Sequence, residues 1–167
     1  MSIVVWMGES VSPASFAMLY ERHARDVYRF ALALSGNEAA AEDLTAEAFL
    51  RVWEAGSRVE VLTVRAYLVT IVRNLHRSQW RREKRRSAMP ADVASPAVDP
   101  LARVELERVL KALSHLPDTD RELLLMRAEG GLSYEEIATL VGVTVEAARL
   151  RAHRARKKLM EALCPKT

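Results

Sequence analysis

Arg149, Leu150, His153, Arg154 and Lys157 gather on one side of a helical wheel, and Arg77, Arg81, Arg82, Lys84, Arg85 and Arg86 crowd into ten residues. Side chains of this kind hold anions. A guanidinium offers paired donors to a phosphate or a guanine edge, and an ammonium neutralises phosphate as a point charge. The net charge of the 167 residues is only +3, but it is unevenly spread. Residues 77–86 carry six basic groups and one acidic, and residues 149–167 carry seven and one. The stretches before each cluster, 1–76 and 87–148, are net acidic. Two basic clusters on two acidic bodies suit a polyanion touched at two points. The plainer reading is two solvated helix ends with arginines near their C-termini.

Chemistry other than anion binding finds little support. The chain contains no glycine-rich phosphate loop, no GxSxG and no HExxH. Cys164 is the only cysteine, which excludes an internal disulfide framework and a cysteine-cluster metal site. His23, His76 and His115 have no ligand spacing with one another or with carboxylates, so neither metal nor cofactor is expected. Glu42, Asp43 and Glu47 could be read as a metal-binding carboxylate set, as in a nuclease. On a solvated helix face they serve equally as a protein-docking surface or as solubilising charge.

The elements that must carry these side chains are helical, with abundant Ala and Leu and only 6% aromatic residues. Apolar spacing predicts a first helix from Ser15 to Leu34, with Phe16, Leu19, Tyr20, Val27, Phe30, Ala31 and Leu34 inward. Ser35-Gly36-Asn37 ends it. A second helix runs from Glu38 to about Glu54 on the stripe Ala41, Leu44, Ala48 and Val52, and a third starts near Val64 and enters the first basic cluster. Residues 87–100 hold three of the six prolines and read as a flexible linker. Beyond it, Leu106, Val109, Leu110 and Leu113 mark a fourth helix. Leu116-Pro117-Asp118 reads as a stop followed by an N-cap, before a helix with Leu123 to Met126. Ser133 with Glu136 is a capping box. The turn Val141-Gly142-Val143 and the cap Thr144 lead into the last helix, to about Leu163. A short helix, a glycine turn, a capped start and a basic second helix describe a helix-turn-helix. In the last helix Ala148, Ala152, Ala155 and Leu159 form the packing face, opposite the cations. His153 is either a solvated polar residue or a DNA contact. The expected fold is all-α: a helical domain at 13–86, a linker at 87–100 and a helix-turn-helix domain at 101–163.

The two halves together resemble a known family. AEDLTAEAFLRVW (41–53) and AYLVTIVRNLHRSQWRREKRR (66–86) are similar to region 2 of bacterial sigma factors, and 113–159, with its GLSYEEIA and HRARKKL blocks, is similar to region 4. The short linker and the lack of other regions match the extracytoplasmic-function (ECF) group. The resemblance covers about 15–163. It implies that Asp43, Glu47, Phe49, Leu50, Arg51 and Trp53 dock on core RNA polymerase. It implies that Arg73, Asn74 and Arg77, with Arg81 and Arg82 on phosphates, recognise and melt a minus-10 element. The loop from Gly56 to Thr63 corresponds to the segment that captures a flipped base. The stretch between Trp53 and Tyr67 has no aromatic residue, where relatives often carry one. Thr144, Arg149, Leu150, Arg151, His153, Arg154 and Lys157 correspond to the minus-35 surface. Leu150 stands where many relatives have Ser and offers an apolar contact, such as to a thymine methyl.

The resemblance therefore implies a sigma factor with no chemistry of its own. Its partners would be core RNA polymerase (clamp and flap), duplex and melted promoter DNA, and an anti-sigma factor. A stand-alone helix-turn-helix regulator is the main rival; it explains 101–163 and leaves the first basic cluster and Asn74 unexplained. No apolar run approaches the ~20 residues of a membrane span, and Ile3 to Met7 is short for a signal peptide. A monomeric, cytoplasmic protein without membrane insertion is expected.

Overall fold

A computed structural model describes residues 12–55, 63–84 and 100–164. Among them are seven helices and no strand: α1 (Pro13–Ser35), α2 (Glu38–Ala55), α3 (Val64–Lys84), α4 (Pro100–Ser114), α5 (Asp118–Ala128), α6 (Tyr134–Val141) and α7 (Val145–Leu163). The loop from Gly56 and most of the proline-rich 87–100 stretch lie outside the described residues, and Pro100 already belongs to α4.

Local chemistry sets the helix ends. Ser12 Oγ accepts from Ser15 N at 3.1 Å, with Pro13 in the first turn, where a missing N–H costs nothing. Gly36, at φ 69°, closes α1 by donating to Leu32 O at 2.8 Å. Asn37 Oδ1 accepts from Ala40 N at 2.8 Å and starts α2, and Thr63 Oγ1 accepts from Ala66 N at 3.0 Å and starts α3. The capping box of α6 is fully formed: Ser133 Oγ accepts from Glu136 N, and Glu136 Oε2 accepts from Ser133 N. The expected N-cap at Asp118 is displaced. Pro117 takes that position and has no side chain to cap with, so Asp118 is the first residue of α5 and pairs with Arg121.

Helices α1, α2 and α3 pack on one another around Val27, Phe30, Leu34, Leu44, Ala48, Leu68 and Val72. Helices α5, α6 and α7 form a second group around Leu123, Met126, Leu132, Ile137, Ala148, Ala152 and Ala155, with α4 on α7. Tyr20 and Leu106, expected inward, are both partly exposed.

The halves are not separate. One buried apolar set runs through both, and α5 packs on α1 as well as on α6 and α7. Five consecutive α5 residues, Glu122 to Met126, are buried. A helix with a single inward stripe cannot bury five residues in a row, because they sweep more than a full turn. Helix α5 is enclosed because it serves both halves.

Candidate nucleic-acid interface

The second helix-turn-helix element, α7, is built as its spacing predicts. Ala148, Ala152 and Ala155 are buried, so α7 lies close against the rest of the second half. Arg149, Leu150, Arg151, His153, Arg154 and Lys157 are exposed. Thr144 is spent on the helix itself, its Oγ1 accepting from Ala147 N at 3.1 Å. Gly142, at φ 72°, makes the turn between α6 and α7. Leu150 is 49% exposed with no polar function, an apolar point amid cations. Arg149 is the most constrained of the group. Its guanidinium lies 5.7 Å from the Tyr134 ring centroid and 3.5 Å from Glu135 Oε1.

The minus-10 candidates on α3 divide in two. Asn74 is exposed, as are Arg81 and Arg82. Arg81 Nε donates to Arg77 O at 3.2 Å. Arg73 is buried, and Arg77, one turn on, is partly so. Glu122 of α5 accepts from both: Oε2 from Arg73 Nε and Oε1 from Arg77 Nε, each at 2.7 Å. Glu122 is only 4% exposed. Removing one partner from such a buried pair typically costs about 3–5 kcal/mol, because the remaining charge is stranded.

The polymerase-docking candidates lie on the outer face of α2. Asp43, Leu50, Arg51 and Trp53 are exposed, and Glu47 pairs with Arg51 at 2.9 Å one turn along. Asp43, Glu47, Leu50 and Arg51 line a cleft of about 530 Å³ together with Leu75 and Arg82 of α3. Phe49 sits differently from the rest. It is 2% exposed, packed edge-on against Phe16 and tilted against Tyr20, so it supports this surface from beneath. Trp53 also meets Phe16 edge-on while remaining 40% exposed.

Sequence reasoning missed the junction between the halves. Arg29 pairs with Glu129 at 2.9 Å, and Thr63 Oγ1 donates to Glu136 Oε1 at 3.2 Å. Arg65 pairs with Asp26 and passes over Gly131. His23 lies beside them with Nδ1 buried and unpartnered. Burial, then the Arg65 and Arg22 guanidiniums, lower its pKa from 6.5, against a smaller opposing pull from Asp26. One signal was available: the run Leu123, Leu124, Leu125 and Met126 is wider than the apolar stripe that a single packing face needs. Among the described residues no group of three or more His, Cys, Asp or Glu could hold a metal ion.

The fold defines an all-α protein of two helical halves, the second carrying a helix-turn-helix. Family models agree: "Sigma-70 region 2" matches residues 19–86 and "Sigma-70, region 4" matches 106–159. Over 158 residues the chain is 37% identical to the RNA polymerase sigma factor CarQ of Myxococcus xanthus, covering 89% of each. It is 36% identical over 166 residues to the ECF RNA polymerase sigma factor SigE of Mycolicibacterium smegmatis, covering 93% of this chain and 64% of that one. The sigma factor RpoE, solved with the anti-sigma factor NepR from Bartonella quintana, superposes with a TM-score of 0.75 at 26% identity, over 91% of this chain and 98% of that one. CnrH, solved with the cytosolic domain of CnrY, gives 0.72 at 27% identity, over 91% and 89%. The chain belongs to the sigma-70 family, in its ECF group.

Proposed function

We propose that this protein directs promoter-specific transcription initiation. Helix α2 docks on core RNA polymerase through Asp43, Glu47, Leu50, Arg51 and Trp53, over the Phe49 support. Helix α3 engages the minus-10 element, with Asn74 at base edges, through both the donor and the acceptor of its amide. Arg73, Arg77, Arg81 and Arg82 hold the strand. Helix α7 reads the minus-35 element with Arg149, Leu150, His153 and Arg154, and Arg151 and Lys157 serve phosphates. The protein carries out no catalysis itself; the polymerase supplies the chemistry.

The observation that carries this reading is the division of α7 into a buried alanine face and an exposed basic face, within a helix-turn-helix whose cap and turn are both formed. A helix serving only as packing needs no cations on its outer face, whereas one entering a major groove does. The basic α3 in the other half favours a two-part promoter over a single operator, and hence a sigma factor over a stand-alone regulator. The complex of RpoE with the anti-sigma factor NepR supports an anti-sigma factor as the regulator. In this reading the protein acts in the cytoplasm, as a monomer on the polymerase; no helix among the described residues is long and apolar enough to cross a membrane.

Runoff transcription with purified core polymerase on a genomic promoter library tests the proposal. Initiation at defined sites only when the protein is added is the expected result. No initiation, with sequence-specific DNA binding by the protein alone, would favour the stand-alone regulator instead.

A further inference from the structure

We propose that Glu122 is an internal mimic of a DNA phosphate, so that the free chain competitively blocks its own minus-10 surface. The proposal rests on the reading of α3 given above. Arg73 and Arg77 lie four residues apart on one side of α3, so their guanidiniums project together as a fork. Such a fork binds two oxygens of one anion. In this structure the anion is the Glu122 carboxylate, each oxygen 2.7 Å from one arginine Nε. A phosphodiester presents two non-bridging oxygens of similar reach and the same formal charge. The fork therefore cannot serve Glu122 and a DNA strand at once.

The arrangement is built into the fold. Glu122 is fixed within five consecutive buried residues, and its neighbours Leu123 to Met126 are core. The closed state is held elsewhere by Arg29–Glu129 and Thr63–Glu136, and by Val69 approaching the Gly130 backbone. Each of these contacts joins the first half to the α5–α6 segment. Asn74 is exposed beside the covered arginines. Closure thus withholds the Arg73–Arg77 fork and leaves Asn74, Arg81 and Arg82 exposed. DNA entering the fork must expel Glu122, which separates α5 from α3. Opening and minus-10 engagement become one equilibrium, and any partner that binds only one arrangement shifts it.

The test uses the full chain and a fluorescein-labelled, 20-nucleotide single-stranded DNA of random sequence, because phosphate contacts do not depend on sequence. Glu122→Gln should bind this DNA at least about fivefold more tightly than the unaltered chain. Glu105→Gln makes the same charge change on the exposed face of α4 and should stay within about twofold. Adding Arg73→Ala to Glu122→Gln should abolish the gain. Equal affinities for Glu122→Gln and Glu105→Gln would overturn the proposal. Should Glu122→Gln not fold, labels at Cys164 and at Ala39→Cys on the otherwise unaltered chain report the separation of the halves by energy transfer. Saturating DNA should lengthen that distance, and an unchanged distance would overturn the proposal. Neither readout involves polymerase, so failure here is distinct from failure of the runoff assay.

Discussion

Thr63 Oγ1 donates to Glu136 Oε1 at 3.2 Å, and this bond joins the starts of two helices in different halves of the chain. The same Thr63 oxygen accepts from Ala66 N and caps α3. The other oxygen of Glu136 accepts from Ser133 N and closes the capping box of α6. Helices α3 and α6 are therefore anchored through one short relay of side chains. Capping, usually a local device, here also sets how the halves sit together.

Replacing either residue tests that double role. Thr63→Ala should destabilise the folded chain by about 1 kcal/mol through loss of the α3 cap. Glu136→Gln keeps a group able to close the box and should cost less than Glu136→Ala. In a double-mutant cycle by chemical denaturation, Thr63→Ala and Glu136→Ala should cost less together than the sum of the two singles. Strict additivity would show that the link between the halves contributes nothing.

Gly131 and Gly142 allow a second comparison. Both have positive φ, at 65° and 72°. A side chain at Gly142 would meet open space, whereas one at Gly131 would collide with the Arg65 guanidinium. Gly142→Ala should cost about 1–2 kcal/mol, the backbone penalty alone. Gly131→Ala should cost more, since it also displaces Arg65 from its path over the chain. In an Arg65→Ala background the two glycine substitutions should become equal, as measured by thermal unfolding. An excess that survives without Arg65 would mean that the clash is not its source.

The helices and the α7 faces were legible because they are written in short-range periodicity and capping. Ser133 with Glu136 and the alternation of Ala148, Ala152 and Ala155 with cations each lie within a few turns of one helix. Family membership was legible because the 41–53, 66–86 and 113–159 blocks are dense in such local patterns. Arg73 and Arg77 illustrate what was not. Their spacing announces an anion fork, but the anion in place here comes from Glu122, 45 residues or more away in sequence. Nothing local distinguishes Glu122 from a solvated helix carboxylate. Phe49 is similar: the family resemblance implies a docking residue, and only packing against Phe16 and Tyr20 shows that it lies beneath the surface.

His23 gives a pH-dependent prediction. Its folded-state pKa lies below 6.5, chiefly because it is desolvated and secondly because Arg65 and Arg22 are near. Above that pH the ring is neutral in folded and unfolded chains and has no effect. As pH falls, the unfolded chain takes up the proton first, so stability drops and levels off only below the folded-state value. Denaturation midpoints between about pH 7 and pH 5 should fall less steeply in His23→Gln than in the unaltered chain. Parallel slopes would remove His23 from the account.

The two faces of the first half should separate by mutation. Asp43→Arg places a cation on the proposed docking surface of α2 and should weaken polymerase binding, while the DNA binding proposed for α7 should be unaffected. Asn74→Ala should do the reverse, with core binding intact and minus-10 selectivity lost, since the exposed amide supports neither the core nor the junction. Pull-down with core polymerase, paired with transcription from minus-10 variants, measures both. Loss of core binding in Asn74→Ala would place that residue in the wrong role.

Arg149 distinguishes base reading from phosphate holding in the second half. The Tyr134 ring and Glu135 restrict its guanidinium, so less freedom is lost when it docks than for a long side chain in open solvent. A restrained guanidinium suits the paired geometry that guanine demands, and a phosphate contact needs no such restraint. Arg149→Ala should therefore lose about 1–3 kcal/mol on the preferred minus-35 sequence and much less on a sequence altered at the contacted base. Arg149→Lys should recover little, because an ammonium cannot make the paired bonds. Lys157→Ala, at the exposed basic face further along α7, should weaken binding by a similar factor on every sequence and reduce the salt dependence. Equal losses on all sequences for Arg149→Ala would reassign that residue to the phosphates and leave base discrimination to Leu150, His153 and Arg154.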